Sequence, residues 1–201
     1  MISRTPTGTA LLGLALSVFL ASAVQAQFTK QKRAVPAKEA PPHADAHAMV
    51  GITKAVAVLR ATKSGGEAGG KITFTKVEGG IKVEGEVTGL TPGMHGFHIH
   101  EFGDVSTPDA MSAGGHFNPG KAAHAGLDTP MRHVGDLGNI EANDKGVAKV
   151  DVTIPHLSFT GAESILGRGL IVHEKADDLK TQPTGNAGAR VAAAVIGVGK
   201  P

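Results

Sequence analysis

Short β-branched runs separated by glycine-rich turns constrain the fold of this chain more than any other feature of its sequence. The runs "TKAVAVLR" (Thr53–Arg60), "KITFTK" (Lys71–Lys76) and "IKVEGEV" (Ile81–Val87) are each bounded by glycine clusters. Such runs are typical of β-strands that end in tight turns. "VAKVDVTI" (Val147–Ile154) alternates apolar and polar residues, which places its apolar side chains on one face of a strand.

The remaining apolar runs, "GLIVH" and "RVAAAVIGV", are typical of buried strands. No segment of the folded part combines a 3.6-residue amphipathic repeat with helix caps. Strands without intervening helices predict an all-β domain, built as an antiparallel sandwich or barrel. Two stretches, Gly103 to about Gly135 and Glu174 to Ala189, are too long for hairpin turns, so they are either functional or disordered.

Cysteine is absent, and this limits the chemistry that the chain can carry out. Without cysteine there is no disulfide, no thiolate metal site and no cysteine nucleophile. Any metal site must therefore be built from histidine and carboxylate ligands.

The N-terminus carries the pattern of an export signal. One charge, Arg4, precedes a mostly apolar run from Ala10 to Val24, and the sequence "AVQAQ" at its end fits a cleavage site after Ala26. We expect a signal peptide over residues 1–26 and export to a bacterial periplasm or secretion. An uncleaved membrane anchor is the alternative, but the run falls short of the ~20 apolar residues that span a bilayer.

Residues 27–50 are rich in Lys, Arg, Pro and Ala without apolar periodicity, which predicts a flexible arm. The pair His43 and His47 within it could hold a metal ion loosely or be two polar residues of a tail. Residues 51–201 carry fifteen basic and sixteen acidic groups, so no positive field favours nucleic-acid binding.

The stretch "GFHIHEFGD" contains two histidines one residue apart in a strand-like run. Alternate residues of a strand point to the same face, so His98 and His100 can hold one metal ion. Two solvated histidines at a strand edge are the simpler alternative. The rest of the chain favours the metal, because four more histidines lie where strands meet the two long loops: His116, His124, His133 and His173.

These histidines divide into two sets by position. The spacing of His116, His124 and His133, with Asp136 three residues on, provides the three imidazoles and one carboxylate of a tetrahedral zinc site. An all-nitrogen set with His98, His100 and His173 suits copper. Two four-coordinate ions need eight ligand positions, and these residues supply seven, so one residue must be shared. His116 lies between the two sets in sequence, which makes it the natural shared ligand.

Five motifs together resemble copper/zinc superoxide dismutases, and the eukaryotic branch more than most bacterial members: "GMHGFHIHEFGD", "GGHFNP", "RHVGDLGNI", "GRGLIVHEKADDL" and "TGNAGARVAAAVIG". The resemblance covers residues 51–201 in the family's order. It implies an eight-stranded Greek-key β-barrel with two long functional loops. It also implies a catalytic domain that dismutates superoxide to oxygen and hydrogen peroxide.

Carried over residue by residue, the resemblance implies copper held by His98, His100, His116 and His173. Zinc would be held by His116, His124, His133 and Asp136. Asp177 matches a carboxylate that links ligands of the two metals, and His95 matches a histidine that braces the loops. His156 matches no functional position.

The implied chemistry is a two-step copper cycle. In it the link from His116 to copper breaks and the ring takes a proton, while zinc has no redox role. Arg190 matches the arginine that docks the superoxide anion, because a guanidinium offers a fixed fork of donors. Without the histidines, a loop salt bridge would be the simpler interpretation of Arg190.

The chain departs from the family where most members have a disulfide. The matching positions, near Ala110 and at Ala193, carry no sulfur, and neither does Ala57. A disulfide that closed a loop of roughly 80 residues would add about 4–5 kcal/mol to the free energy of unfolding in the chain-entropy model, and this chain lacks that contribution. We therefore expect bound metal to carry more of the stability than is usual.

The second loop is also shorter than in eukaryotic members, and Lys175 or Lys180 could replace steering charge that it lacks. Partial matches to dimer contacts, at Glu101–Gly103, Leu166–Arg168 and Val198, imply a homodimer. The alternatives are a non-catalytic copper/zinc-binding or metallochaperone-like protein on the same scaffold, and a structural or adhesive module. The first is disfavoured because every matched ligand and Arg190 are present, and the second leaves six histidines unexplained.

Overall fold

The computed structural model describes residues 51–201. The predicted signal peptide (1–26) and the predicted arm (27–50), with His43 and His47, lie outside the described residues and stay predictions. The described part of the chain contains no helix long and apolar enough to cross a membrane.

Nine β-strands make up the regular structure of this part of the chain, and a single 3-10 turn at Met111–Ala113 is its only helical element. The strands are β1 (Lys54–Ala61), β2 (Gly69–Val77), β3 (Gly80–Thr88), β4 (Gly93–His100), β5 (Asp136–Ala142), β6 (Ala148–Ile154), β7 (Gly169–His173), β8 (Arg190–Val195) and β9 (Gly197–Val198).

Eight of these strands close into one antiparallel barrel. The hydrogen-bonded order is β2-β3-β6-β5-β4-β7-β8-β1, and β1 also pairs with β2, which closes the ring. The connections from β3 to β4 and from β6 to β7 each skip two strands, which is the Greek-key pattern. The short β9 pairs with the same edge of β1 as β8, in the same register, so it extends the chain along the closed ring. The predicted all-β, eight-stranded Greek-key barrel is confirmed.

The barrel interior is filled by the alternate apolar residues that the sequence pattern predicts. In β1, Ala55, Ala57 and Leu59 are buried, whereas Val58 and Arg60 on the other face are exposed. In β6 the same alternation separates the inward Val150 and Ile154 from exposed polar neighbours. The largest fully buried apolar side chains are Phe74, Phe97, Ile72, Ile81, Ile99, Ile154, Ile165, Leu170, Ile171 and Ile196.

Two features of the sheet differ from the strands predicted from sequence. Strand β5 was not among the predicted strands, because its sequence "DLGNIEA" starts with Asp136 and has Gly138 at φ +77°. The run "RVAAAVIGV" forms two strands rather than one. The break falls at Ile196, whose backbone groups bond to Gly167 and Arg168 instead of continuing β8.

The two predicted long loops leave opposite ends of the barrel strands and contact each other. The first joins β4 to β5 over residues 101–135, and the second joins β7 to β8 over residues 174–189. Strands β4 and β7 are antiparallel, with His100 opposite Gly169, so the two loops begin at opposite ends of this pair. The loops meet through contacts such as the hydrogen bond between His124 and Gln182. The predicted ligands lie on β4, β5 and β7 and in the first loop.

Candidate metal centre

Four histidines from separate parts of the sequence meet beside the paired strands β4 and β7. His98 and His100 lie on β4, and His173 is the last residue of the neighbouring β7. His116 is brought beside them by an antiparallel bridge between His100 and His116. One ring nitrogen from each of the four residues lies within 4.8 Å of the others, and all four residues are buried. We call this set the four-imidazole group.

A second set is centred on one carboxylate oxygen of Asp136, the first residue of β5. Oδ1 of Asp136 lies 2.8 Å from Nδ1 of His116, 2.9 Å from Nδ1 of His124 and 3.2 Å from Nδ1 of His133. Its Oδ2 accepts hydrogen bonds from the backbone N–H groups of Ala125 (3.1 Å) and His133 (3.2 Å). All four ligand side chains are buried. We call this set the three-imidazole carboxylate group.

His116 belongs to both groups and connects them through its two ring nitrogens. Nδ1 faces Asp136, while the ring centroid lies 4.0 Å from that of His98 and 5.1 Å from that of His100. The structure therefore brings all seven predicted ligand residues together in two groups, and His116 is a member of both.

The two groups fit metal ions, because they contain buried ring nitrogens without hydrogen-bond partners. In the described residues these nitrogens are Nδ1 of His98, Nε2 of His116 and Nδ1 of His133. Nδ1 of His133 is close to Asp136 but not aligned for a hydrogen bond. Buried polar atoms normally have partners, since leaving one unpaired costs about 1–3 kcal/mol. An ion in each group would satisfy these atoms, and the donor sets suit copper and zinc respectively.

Burial keeps several of these rings neutral, which is the form that binds metal. Burial lowers the pKa of His116 to about 4, although the Asp136 carboxylate opposes the shift. Burial and the neighbouring charge of His98 lower the pKa of His173 to about 3. Burial, followed by the charge of Arg190, places the pKa of His100 well below its usual value.

At Asp136 and His124, hydrogen bonds and neighbouring charges outweigh the effect of burial on the pKa. Burial raises the pKa of Asp136, but hydrogen bonds from His116 and His133 outweigh it and leave the pKa well below its usual value. Burial lowers the pKa of His124, but the hydrogen bond to Asp177 and the charge of Asp136 outweigh it and raise the pKa. The second group therefore holds a carboxylate anion among imidazoles, which favours a cation at its centre.

Asp177 links the two groups from the second loop. Its Oδ2 lies 2.7 Å from Nε2 of His98, and its Oδ1 lies 2.9 Å from Nε2 of His124. Each contact holds Nε2 of a ring and so directs its Nδ1 toward a ligand group: the four-imidazole group for His98 and the three-imidazole carboxylate group for His124. Residues that hydrogen-bond to metal ligands orient them in the same way. The backbone of Asp177 is itself held by the amide of Asn139, at 2.7 and 2.9 Å.

Sequence reasoning did not assign a role to Asn139. This residue lies on β5 inside the motif "RHVGDLGNI", and its side chain closes a pair of hydrogen bonds with a residue 38 positions away. Its position within a motif was the only available signal, because a single asparagine in a strand predicts no particular long-range contact.

Arg190 opens β8 and reaches the first loop. Its guanidinium donates to the backbone carbonyl of Ala110 and, at 2.6 Å, to that of Gly114. The carbonyl of Gly114 also accepts from Nδ1 of His100 at 2.9 Å, so Arg190 and a ring of the four-imidazole group share one acceptor. Burial lowers the pKa of Arg190, but a guanidinium stays charged at every physiological pH. A fixed positive charge thus lies beside this group.

The other residues singled out from sequence lie outside the two groups. His95 is buried, with Nδ1 2.7 Å from the carbonyl of His173 and Nε2 2.8 Å from that of Thr91, so it connects β4 to the end of β7. His156 is exposed. Ala110 and Ala193, the sulfur-free positions, are buried together with Ala113 and Ile171 in a small apolar cluster.

Comparison with known proteins gives one consistent family. The family model "Copper/zinc superoxide dismutase (SODC)" matches residues 68–196. The chain is 45% identical over 158 residues to "Superoxide dismutase [Cu-Zn]" of Onchocerca volvulus, covering 73% of this chain and 97% of that protein. It is also similar to the crystal structure of the clock protein EA4, with 43% identity and a TM-score of 0.66 over 73% of this chain and 94% of that one. The matched residues contain both histidine groups, and on this agreement of sequence and fold the chain belongs to the copper/zinc superoxide dismutase family.

Proposed function

We propose that this protein is a superoxide dismutase, an oxidoreductase that converts two superoxide anions and two protons to oxygen and hydrogen peroxide. The observation that carries the proposal is the sharing of His116 between two buried ligand groups. We assign copper to His98, His100, His116 and His173. We assign zinc to His116, His124, His133 and Asp136.

Copper in the four-imidazole group would supply the one-electron redox chemistry, and zinc would supply a fixed charge and no redox step. The residues of the chain provide the rest of the catalytic environment. Nε2 of His116 is buried and has no hydrogen-bond partner in the described part of the chain, so it is the atom at which the site can hold a proton. Nδ1 of the same ring remains directed at Asp136.

Arg190 binds and orients the superoxide anion. Its guanidinium is held by two backbone carbonyls rather than by a carboxylate, so its charge is not neutralised by the contacts that position it. A charge held in this way attracts the anion and presents a rigid fork of donors to it. This feature favours catalysis over the alternative of a non-catalytic metal-binding or metallochaperone-like protein, which has no use for an anion site.

The test combines metal stoichiometry with activity. Purified protein should contain one copper and one zinc per chain, and it should consume superoxide, with activity lost to a chelator and restored by both metals. Protein that binds both metals without consuming superoxide would support the metal-binding alternative. Protein that binds neither metal would overturn both.

We also propose a homodimer formed through an apolar surface next to β1, β8 and β9. Val58 and Val195 line one groove on this surface. A Cβ placed at Gly103 would lie 3.1 Å from the side chain of Val195, so the preceding residue, Phe102, is close to the same groove. Phe102 is 51% exposed, Val58 55% and Val198 63%, which is unusual for large apolar side chains in neighbouring positions. Sedimentation analysis should give twice the chain mass, and Phe102→Glu should give a monomer; a monomeric parent protein would overturn this proposal.

Finally, we propose that the chain is exported with cleavage after Ala26, to a periplasm or the cell exterior, and that it does not remain attached to a membrane. The support is the sequence pattern of residues 1–26. Protein recovered from its native cells should begin at Gln27 and fractionate with exported, soluble proteins. A mature protein that still begins at Met1 would contradict the proposal.

A further inference from the structure

The side chain of Gln182 in the second loop forms two hydrogen bonds to the backbone of a single residue, His124. The N–H of His124 donates to Oε1 of Gln182 at 2.8 Å, and Nε2 of Gln182 donates to the carbonyl of His124 at 2.8 Å. The two residues are 58 positions apart. The amide of Gln182 thus pairs with this peptide segment as a neighbouring strand would.

These contacts complete the set of partners around His124. Nε2 of its ring contacts Oδ1 of Asp177 at 2.9 Å, and Nδ1 contacts Oδ1 of Asp136 at 2.9 Å. Three of the four polar groups of His124, namely its N–H, its carbonyl and Nε2, are therefore held by the second loop. The fourth, Nδ1, is the one that faces the three-imidazole carboxylate group.

Gln182 is held in a closed turn before it contacts His124. Its Nε2 also donates to the carbonyl of Lys180 at 3.2 Å. The N–H of Gly185 donates to the carbonyl of Thr181 at 2.7 Å, which closes the chain around Gln182. Asp178 accepts from the N–H of Thr181 at 2.8 Å and from its hydroxyl at 2.6 Å. The amide is therefore directed at His124 by a turn with several internal bonds.

The segment just before His124 is held in a different way. Asn118 forms the same kind of amide pair with Ala122, at 2.9 and 3.0 Å, but both residues belong to the first loop. That pair fixes the local shape of the first loop. Only the pair with Gln182 fixes this segment relative to the second loop, which also carries Asp177.

We propose that Gln182 is a positioning residue for the zinc site, acting through the backbone of His124. The inference rests on the proposed function, because it takes His124 to be a zinc ligand. Removing the amide leaves the peptide groups of His124 without their partners, and the ring then depends on Asp177 and Asp136 alone. Outer partners of this kind typically alter metal affinity roughly 10–100-fold.

The experiment compares Gln182→Ala and Gln182→Glu with the parent protein, after loading with copper and zinc. The glutamate variant keeps the size of the side chain and the acceptor for the N–H of His124, but it directs a carboxylate oxygen at the carbonyl. Thr184→Ala is the matched control in the same loop, since it leaves the pairing of Gln182 with His124 unchanged.

Three measurements distinguish the positioning of His124 from a general loosening of the second loop. Zinc release to a chromophoric chelator should be about 10-fold faster in both Gln182 variants and unchanged in the control. Cobalt in place of zinc should show a shifted visible spectrum in both variants, because His124 moves. The copper absorption band should remain that of the parent, because the side-chain hydrogen bonds of Gln182 go to His124 and Lys180.

The outcomes that overturn the inference differ from those that overturn the proposed function. If the parent holds zinc and both variants release it at the parent rate with the parent cobalt spectrum, Gln182 has no positioning role. If the copper band changes as much as the cobalt spectrum, its role is general to the loop. A parent protein that takes up no zinc overturns the proposed function, and this inference with it.

Discussion

Gly185 lies against the carboxylate of Asp177 so closely that a Cβ at position 185 would fall 1.8 Å from Oδ1. The same Cβ would fall 2.7 Å from Nε2 of His124. The glycine thus provides the space in which Asp177 contacts His124, and its φ of +68° is in the region that favours glycine. The link between the two ligand groups depends on a residue that has no side chain.

Gly185→Ala is therefore expected to displace Asp177 and to reduce the retention of both metals. Gly161→Ala is the control, because Gly161 has a similar φ of +72° but open space around it. Both variants should carry the cost of a left-handed alanine, about 1–2 kcal/mol. Only Gly185→Ala should lose metal on dialysis, measured by elemental analysis; equal metal content in the two variants would contradict the assigned role of this space.

His116→Ala and His173→Ala are expected to differ in which metals they lose. His116 belongs to both ligand groups, whereas His173 belongs to the four-imidazole group alone. The His173 variant should keep zinc and bind copper weakly, and the His116 variant should bind both weakly. Elemental analysis after dialysis against each metal checks this. Full zinc retention by His116→Ala would show that His116 is not shared.

Arg190→Ala is expected to keep both metals and to consume superoxide about 10-fold more slowly or worse, since electrostatic steering of charged substrates typically changes rates 10–10³-fold. Arg190→Lys should recover part of the rate, because it restores the charge without the fork of donors. The rate of the parent should fall more steeply with ionic strength than that of Arg190→Ala. An alanine variant with the parent's rate would exclude Arg190 from anion binding.

Removing both metals is expected to lower the melting temperature. Buried ring nitrogens of His98, His116 and His133 then have no partner, and stabilisation by a ligand at 1,000 times its dissociation constant amounts to about 4 kcal/mol. Calorimetry of the metal-free and reloaded protein measures the difference. Equal melting temperatures would show that the metals contribute nothing to stability.

The metal-free protein is expected to lose stability as the pH falls below about 6.5, the usual value for histidine. The folded-state pKa of His116 is about 4 and that of His173 about 3, so between those values and 6.5 the unfolded chain binds more protons. Each ring then removes at most about 1.4 kcal/mol per pH unit. Asp177, with a pKa of about 2, adds a loss only below about pH 4, and the raised pKa of His124 partly opposes the trend.

Urea titrations of the metal-free protein at several pH values measure this dependence. The free energy of unfolding should decrease steadily from pH 6.5 to pH 4, and His173→Gln should flatten the slope. A free energy that rises as the pH falls through this window would mean that the buried rings are protonated in the folded state.

The sequence predicted the barrel and the grouping of the ligands for different reasons. Strands such as β1 and β6 follow from alternation, since burial on one face leaves a period of two. The two ligand sets follow from the number and order of His and Asp residues, because few ligand types suit each metal. The alternation is a local property of each strand, and the ligand sets can be obtained by counting residues, so both are visible in the sequence.

The supporting contacts could not be predicted in this way. Asn139 and Gln182 act through amide groups on residues 38 and 58 positions away, and an amide in a loop or strand carries no signal of its partner. Strand β5 was missed because Gly138 and Asp136 suit a turn as well as a strand. These contacts depend on how the two loops meet, which only the folded barrel determines.

The small cluster of Ala110, Ala113, Ile171 and Ala193 attaches the first loop to strands β7 and β8 by apolar packing, beside the hydrogen bond from Arg190 to the carbonyl of Ala110. This cluster contains no disulfide that a thiol reagent could reduce. Attachment of the first loop beside Arg190 thus needs no disulfide, so it does not depend on whether the surroundings are reducing or oxidising.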